Sequence, residues 1–447
     1  MGREFKILQV STSDRAGGAE SCAWALFQLY ARLGHKSWLA VGTQQSQVTG
    51  VLRIPHERYR SPWARLWIPY LKPPDYCSHS PEAHLQSLLR LISEPRRVLA
   101  RRRGEEDFDF PGTVHLLDLV PEVPDVIHCH NLHGGYFDLR ALPRLTHMRP
   151  LILNLHDAWL LSGHCAHSFD CSRWKTGCGY CPNLTTYPAI RRDATAFNWE
   201  RKRHIYATSH IYVAAVSKWL IGKVEASMLQ GVKSRVIYNG IDIDTFLPGS
   251  QAEARHALGL PISAKIVLFT AHNEYKDYPT MLAAIQRLER VNGNELCFVC
   301  LGQSGIEQVA GNGRLIFPGR ETEPARMVNY YRATDVFLHA AREDSFPKTI
   351  TEALACATPV VATAVGGIPE QIQEGETGYL TPRGDAQALA EAIQRLLQDS
   401  NLRNKMGAAG RRDAVQRFSL KRQVSEFLDW YGEVIEDWEA RHGSHPT

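Results

Sequence analysis

The chain has 447 residues, of which 44% are hydrophobic and 22% charged. That composition excludes collagen-like, disordered and disulfide-scaffold classes, and the length calls for two or three domains. No uninterrupted apolar run approaches the roughly 20 residues of a bilayer-spanning helix, so an integral transmembrane protein is excluded. The net charge of +4 hides an asymmetry: residues 1–236 carry 30 Lys and Arg against 20 Asp and Glu, and residues 237–447 carry 21 against 27. A front half at +10 and a back half at −6 imply two domains that meet different partners. The run Ile7-Leu8-Gln9-Val10 is too short for a secretory signal and follows an acidic residue, so a cytoplasmic location is expected.

In chain order, Lys6–Ser11 reads as a buried strand and Ser11–Gly18 as a polar turn. From Glu20 the apolar residues Ala23, Leu26, Phe27, Tyr30 and Leu33 recur at helical spacing, with Gly34 as the stop. Ser37–Gly42 is the next strand, which completes a βαβ unit and predicts a parallel sheet. Asp125–His130, Pro150–His156 and Ile211–Val216 read as further strands. Each ends at or just before a polar residue, where open parallel sheets place their ligands. Val236–Asp242 lies between the halves, and its Asn239-Gly240 pair suits a turn at a domain junction. The back half repeats the style, with strands at Lys265–Thr270, Leu296–Gly302, Leu315–Gly319, Asp335–His339 and Pro359–Thr363. Met281, Leu282, Ile285 and Leu288 form a helical stripe between the first two. Two doubly wound α/β domains account for this pattern better than one oversized core.

The segment Glu343–Leu354 follows a strand and opens a helix. Ser345 or Asp344 is placed to cap it, and Pro347 suits its first turn. A helix start offers unpaired N–H groups and a positive dipole end, which suits a phosphate. Pro347 has no N–H, so Lys348 and Thr349 are the expected donors. Asp344 and Glu352, eight positions apart, are acids of the kind that bind sugar and ribose hydroxyls. The bland alternative is a cap plus a solvated acid.

This segment resembles the acid-x7-acid signature of family 4 glycosyltransferases, retaining enzymes of the GT-B fold. Ala355–Glu370, Asn239–Asp242 with Phe246 and Pro248, and Gly375–Gly378 resemble that family too. The resemblance extends to exopolysaccharide transferases of the colanic-acid type, which carry a similar cysteine-containing insert. It implies two Rossmann-like doubly wound domains facing a cleft. Residues 1–236 would form the acceptor side, with a Cys-rich insert at about 160–185, and residues 237–425 the nucleotide-sugar side. Residues 426–447 would form a C-terminal helix and tail packing back on the N-terminal domain. Asp344 would contact the transferred sugar, Glu352 the ribose, and Phe346, Lys348 and Thr349 the rest of the donor. Two positions depart from the family pattern. Asp344 stands where the family usually has Glu, with Glu343 beside it. In the loop Ala271–Asp277, Lys276 matches the family lysine that neutralises the diphosphate, but Asp277 replaces a Gly and the family Arg is missing.

In the front half, Gly17-Gly18 sits between the first strand and first helix. Glycine lets backbone approach a diphosphate closely, although the spacing is not that of the dinucleotide fingerprint. By resemblance, Gly17 and Gly18 lie against the donor phosphate or the acceptor. His156 with Asp157 resembles the family histidine near the transferred sugar, and His130, with Asn131 and His133, resembles a second pocket-lining group. A strand-terminal histidine can also be plain structure. The resemblance implies front-face attack without a protein nucleophile. The leaving phosphate oxygen takes the acceptor proton, Lys276 stabilises the charge, and His156 and Asp344 position the sugar. Asp107-Phe108-Asp109 and Asp242-Ile243-Asp244 lie in an acidic loop and at the domain junction and read as structural, so no catalytic metal is expected.

Four of the ten cysteines cluster: Cys165, Cys171, Cys178 and Cys181. Four thiolates so spaced suit a structural zinc, with free or redox-paired thiols as the other reading. Two basic stretches carry or adjoin aromatics: Arg58–Trp67, and Arg96-Arg97 with Arg101-Arg102-Arg103. Arg191-Arg192 and Arg201-Lys202-Arg203 add to the excess. An anionic membrane surface or a lipid-diphosphate acceptor fits them, as does an ordinary solvated face. The expected activity is retaining transfer from a nucleotide diphosphate-sugar to a saccharide acceptor, lipid-linked, in exopolysaccharide synthesis, at the inner membrane face. A nucleotide-sugar epimerase or phosphorylase on the same fold is a second reading. A nucleic-acid-binding protein is a third, disfavoured by the acidic back half.

Overall fold

In the computed structural model the described residues are 3–15, 17–71, 81–271, 275–291 and 293–443. His272, Asn273 and Glu274 of the Lys276 loop therefore lie outside them, as do Ala16 and Cys77. The chain divides into two compact units. The first comprises Met1–Ala215, Ile221–Arg235 and Leu428–Thr447, and the second Val216–Leu220 and Val236–Phe427.

The first unit is built on strands β1 (Lys6–Ser13), β2 (Lys36–Thr43), β3 (Val51–Arg53), β4 (Val126–His130), β5 (Leu151–Leu155), β6 (Ile211–Ala215) and β7 (Ser234–Val236). Their order is β3-β2-β1-β4-β5-β6-β7, and the pairings from β3 through β6 are parallel. β4, β5 and β6 are buried at every residue, as a parallel sheet covered on both faces demands. The helix Gly18–Arg32 joins β1 to β2 and buries Ala23, Leu26, Phe27 and Tyr30. It ends at Leu33, and Gly34 follows at φ +88°, the left-handed conformation that glycine adopts without strain.

The second unit repeats the plan with β8 (Lys265–Thr270), β9 (Leu296–Leu301), β10 (Gln308–Ala310), β11 (Gly313–Gly319), β12 (Val336–His339), β13 (Val360–Thr363) and β14 (Gly378–Thr381). The order is β10-β11-β9-β8-β12-β13-β14, parallel except for the β10–β11 edge pair. Each sheet thus starts in the middle, runs to one edge, and returns to the other side of its first strand. The reversal falls between β1 and β4 in one unit and between β8 and β12 in the other. At such a reversal the loops leaving adjacent carboxyl ends diverge and leave a crevice for a ligand. β3, β7, β10 and β14 have no counterpart in the sequence reading. All four are edge strands of three or four residues, too short to show a period.

Two local expectations are corrected. The helix Lys348–Ala355 has Pro347 at its N-cap position and no side-chain cap bond; Asp344 points elsewhere, and Ser345 is buried. Gly240 is needed for contact rather than for a left-handed turn. A Cβ there would lie 2.6 Å from Cα of Leu420, where Ile241 and Leu420 exchange backbone bonds with Phe418 and Ile241 at 2.8 Å.

The chain from Leu428 onward belongs to the first unit. Tyr431 Oη lies 3.0 Å from Tyr30 Oη and 2.7 Å from His128 Nδ1, and Trp438 Nε1 donates to the Thr146 carbonyl at 2.7 Å. The same unit encloses the wholly buried Lys202. Its ammonium donates to Glu106 at 3.0 Å, to the Trp159 and Ser162 carbonyls at 2.9 and 3.0 Å, and sits 3.8 Å from the Trp159 ring centroid. Removing one partner of a buried pair leaves the other charge uncompensated. Lys202→Met is therefore expected to cost about 3–5 kcal/mol. Adding Glu106→Leu is expected to recover most of that loss, read from denaturant midpoints by tryptophan fluorescence.

Candidate active site

In the second unit, three polar side chains meet at the carboxyl ends of β8 and β12. His339 ends β12, Lys276 lies in the loop after β8, and Asp344 lies in the loop after β12. Lys276 Nζ donates to Asp344 Oδ2 at 2.8 Å and to His339 Nε2 at 3.1 Å. An ammonium can only donate, so His339 offers Nε2 as acceptor and carries its proton on Nδ1, 3.4 Å from Thr349 Oγ1. His339 Nε2 is 3.5 Å from Asp344 Oδ2. Burial alone would raise the Asp344 carboxyl; the Lys276 charge and hydrogen bond outweigh it and hold the group well below the ordinary carboxylate range. Lys276 is itself buried, at 8% exposure, so its charge acts in a poorly screened setting.

The backbone of Asp344 is pinned from behind. A Cβ on Gly366, at φ +58°, would lie 2.0 Å from the Asp344 carbonyl oxygen, and one on Gly367 would lie 1.9 Å from that of Ser345. The Gly367 N–H donates to the Asp344 carbonyl at 3.0 Å. Only glycine allows this approach. On the following helix, Glu352 accepts a 2.8 Å bond from the buried Tyr331 hydroxyl, which fixes its carboxylate. Lys348 and Thr349 form the helix's first turn. Phe346 stacks on Tyr238 at 5.2 Å and meets Phe418 edge-on at 5.6 Å.

In the first unit a second cluster forms at the ends of β1, β4 and β5. His130 Nε2 lies 3.1 Å from Gln9 Oε1, which accepts, so Nε2 carries the proton. Nδ1 then accepts from His156 Nε2 at 3.1 Å. Burial pushes His130 well below the usual histidine range, which keeps it neutral. Asn131, at φ +25°, donates to Asp157 Oδ2 at 3.0 Å, and His133 Nε2 meets the same oxygen at 2.8 Å. The Trp159 N–H binds the other oxygen at 2.9 Å. Against burial, these partners lower Asp157 to about 2, while Asp157 raises His133. Gly17 and Gly18 begin the helix after β1. A Cβ on Gly17, at φ +79°, would fall 2.0 Å from Glu20 Oε2, so the glycine makes room for a carboxylate that burial raises.

The sequence reading singled out neither His339, Glu20 nor Gln9. His339 ends a recognised strand beside the switch, and that position was its signal. Glu20 follows the Gly-Gly pair. Gln9 is one polar residue inside an apolar strand, and only the pairing of β1 with β4 reveals its partner.

Cys165, Cys171, Cys178 and Cys181 carry free thiols and line one small cavity with His164 and Trp174. Among the described residues, one set of three metal-ligand-type groups has its atoms within 4.8 Å of one another: Cys22, His130 and His156. The basic stretches are partly neutralised. Arg60 pairs with Glu94 and Asp109, Arg97 with Glu94 and Asp107, and Lys202 with Glu106. Arg58, Arg65, Arg96 and Arg102 remain exposed.

With the two switch-point clusters in place, comparison with known proteins gives the class. Residues 16–245 match the family described as Glycosyltransferase Family 4, and residues 250–413 match Glycosyl transferases group 1. The first match alone spans more than half of the chain, so the chain belongs to glycosyltransferase family 4. It is 32% identical over 217 residues to a D-inositol 3-phosphate glycosyltransferase of Saccharomonospora viridis, covering 45% of this chain and 50% of that protein. It is 26% identical over 237 residues to an N-acetyl-alpha-D-glucosaminyl L-malate synthase of Bacillus anthracis, covering 50% and 60%. The chain thus spans about half the length of the curated relatives it matches. In fold it is similar to a sucrose-phosphate synthase from Thermosynechococcus elongatus, with a TM-score of 0.65, 20% identity and coverage of 97% of this chain and 100% of that one. It is similar also to Anabaena HepE, solved in complex with UDP-glucose, with a TM-score of 0.60, 18% identity and the same coverage. The fold is GT-B.

The Asp157–His133 pair links local stability to pH. The Asp157 contribution is present above its unfolded value of 3.8 and fades as pH falls through about 2. The His133 contribution is present below 6.5 and is lost as pH rises through its raised folded value. His133→Ala is therefore expected to lower the urea midpoint more at about pH 5.5 than at about pH 8.5. Equal losses at both would show that the pair is not charged in the folded protein.

Proposed function

We propose that this chain transfers a sugar from a nucleoside diphosphate-sugar to a saccharide acceptor with retention at the anomeric carbon. The observation that carries this reading is the Lys276–Asp344 ion pair at the β8/β12 switch point, next to the start of the helix Lys348–Ala355. That site pairs a buried cation suited to a diphosphate with acids suited to hydroxyls. The names of the relatives, and the UDP-glucose bound by HepE, support the same donor class.

In this reading the anomeric C–O bond to the diphosphate breaks, and negative charge grows on the leaving oxygen. Lys276 and the N–H groups of Lys348 and Thr349 stabilise that charge. The acceptor oxygen bonds the same face of the anomeric carbon, and its proton passes to the leaving phosphate oxygen. Asp344 holds a sugar hydroxyl and Glu352 the ribose. His156 positions the sugar, with Asp157, His130 and His133 on the acceptor side and the Gly17-Gly18 loop at the donor phosphate or acceptor. The charge on Lys276 does the work a metal would otherwise do, so the reaction is proposed to be metal-independent. Activity against a nucleotide-sugar panel tests this. Asp344→Asn and Lys276→Ala are each expected to lower kcat/KM by about 10²–10³-fold, and Glu352→Gln to raise the donor KM. Full activity in either of the first two would overturn the assignment. Epimerised donor formed without acceptor would favour the second enzyme reading.

We further propose that the acceptor is lipid-linked, in surface polysaccharide synthesis, and that the chain works at an anionic membrane surface. No helix of the described residues is long and apolar enough to cross a membrane. Support comes from the helices Pro62–Trp67 and Pro81–Ser93, which expose Trp63, Leu66, Leu85 and Leu88, each more than half exposed. Exposed Arg58, Arg65, Arg96 and Arg102 belong to the same stretch of chain. Apolar side chains with arginines bind anionic lipid. Sedimentation with anionic vesicles is expected to show salt-sensitive binding that Trp63→Ser/Leu66→Ser reduces about tenfold. Binding unchanged by salt and by the variant would remove this part of the proposal.

A further inference from the structure

We propose that Cys165, Cys171, Cys178 and Cys181 hold a structural zinc ion as four thiolates. All four line one cavity of about 20 Å³, room for a single ion rather than a metabolite or an iron–sulfur cluster. The sequence brings them together by a tight turn. Gly177, Cys178, Gly179 and Tyr180 have φ of +142°, +55°, +87° and +48°, four consecutive residues in the left-handed half of backbone space. Two of these are not glycine, so the turn carries strain that some contact must offset. It folds Cys178 and Cys181 back onto one cavity at the Cys-x2-Cys spacing of zinc knuckles.

Polar groups face two of the sulfur atoms. The Gly163 N–H donates to Cys178 Sγ at 3.3 Å. His164 donates from Nδ1 to the Pro188 carbonyl at 3.0 Å, and that bond sets its Nε2 3.4 Å from Cys181 Sγ. The sulfur atoms ring the cavity more widely than a zinc tetrahedron. Among the described residues no three of them lie within 4.8 Å of one another. Zinc binding would have to draw them closer together.

The segment also needs a cross-link. From Ser162 to Asp193 it contains one three-residue 3-10 turn, Arg173–Lys175, and no strand or longer helix. A stretch of this length without regular structure is rare in a compact unit unless something else orders it. A structural zinc supplies such order directly. Its position has a consequence for the site. Ala158 and Ala166 share a 2.9 Å backbone bond, Ala166 N–H donates to the Tyr187 carbonyl at 2.8 Å, and Tyr187 Oη lies 3.4 Å from His133 Nδ1. The zinc would hold the strap that backs Asp157 and its partner His133.

The test is metal analysis of the full chain, purified without chelator or oxidant. About one zinc per chain is expected, released in step with thiol modification by a mercurial reagent. Cys178→Ser and Cys181→Ser should lose the zinc, while Cys22→Ala, in the other cluster, should keep it. Should the serine variants fail to fold, cobalt substitution of the wild-type chain provides the second readout, with thiolate-to-cobalt charge-transfer bands expected. Hydrogen exchange across residues 158–195 should rise when zinc is removed. Absence of zinc, disulfides among the four cysteines in non-reduced peptide maps, or loss of zinc only in Cys22→Ala would each overturn the proposal. These readouts do not depend on sugar transfer, so they stand or fall apart from the proposed activity.

Discussion

Both units depend on one constraint: a parallel sheet whose strand order reverses beside its first strand. The parallel strands are joined by crossovers, so their carboxyl ends open onto the same side. At the reversal two neighbouring loops leave in opposite directions. Residues 68 positions apart, Lys276 and Asp344, become hydrogen-bond partners for that reason. In the first unit the same rule brings Gln9 of β1 against His130 of β4, 121 positions away. Neither pair is a local motif.

The constraint also decides which charges can be buried. Three acids in these clusters have partners that the fold places. Asp344 has Lys276, Asp157 has His133 and Asn131, and Glu106 has Lys202. The chemistry differs among the three. Lys202 donates three bonds to fixed acceptors in the interior, an arrangement that holds a fold together. Lys276 sits at a sheet end where a ligand is expected, and its bonds go to one acid and one neutral imidazole. An arriving diphosphate would share that ammonium with Asp344, whose carboxylate could then turn to a sugar hydroxyl. The ion pair keeps a costly charge satisfied until the donor enters.

The sequence carried the central strands of both sheets because they are buried on both faces and therefore apolar throughout. It missed the four edge strands, which are too short to show a pattern. The acid-x7-acid segment was legible as chemistry, but the part played by Ser345 and Asp344 was misread as helix capping. Local sequence favours a cap wherever Asp or Ser precedes a helix; only the distant Lys276 reveals why Asp344 turns away. Basic runs were also overcounted. Arg60, Arg97 and Lys202 look like surface charge in sequence, and each is committed to acids that lie close by only after folding.

Asp344, which stands where the resemblance implies Glu, is held from behind by the glycines that follow β13. A side chain one methylene shorter reaches less far, so its backbone must be held closer to its target or fixed more firmly. Gly366 and Gly367 press directly on the carbonyl groups of Asp344 and Ser345, at distances that admit no Cβ. The Gly367 N–H then locks the Asp344 carbonyl. With the backbone fixed, the short carboxylate still meets Lys276 at 2.8 Å. The Gly-Gly pair therefore fixes the backbone from which Asp344 reaches Lys276.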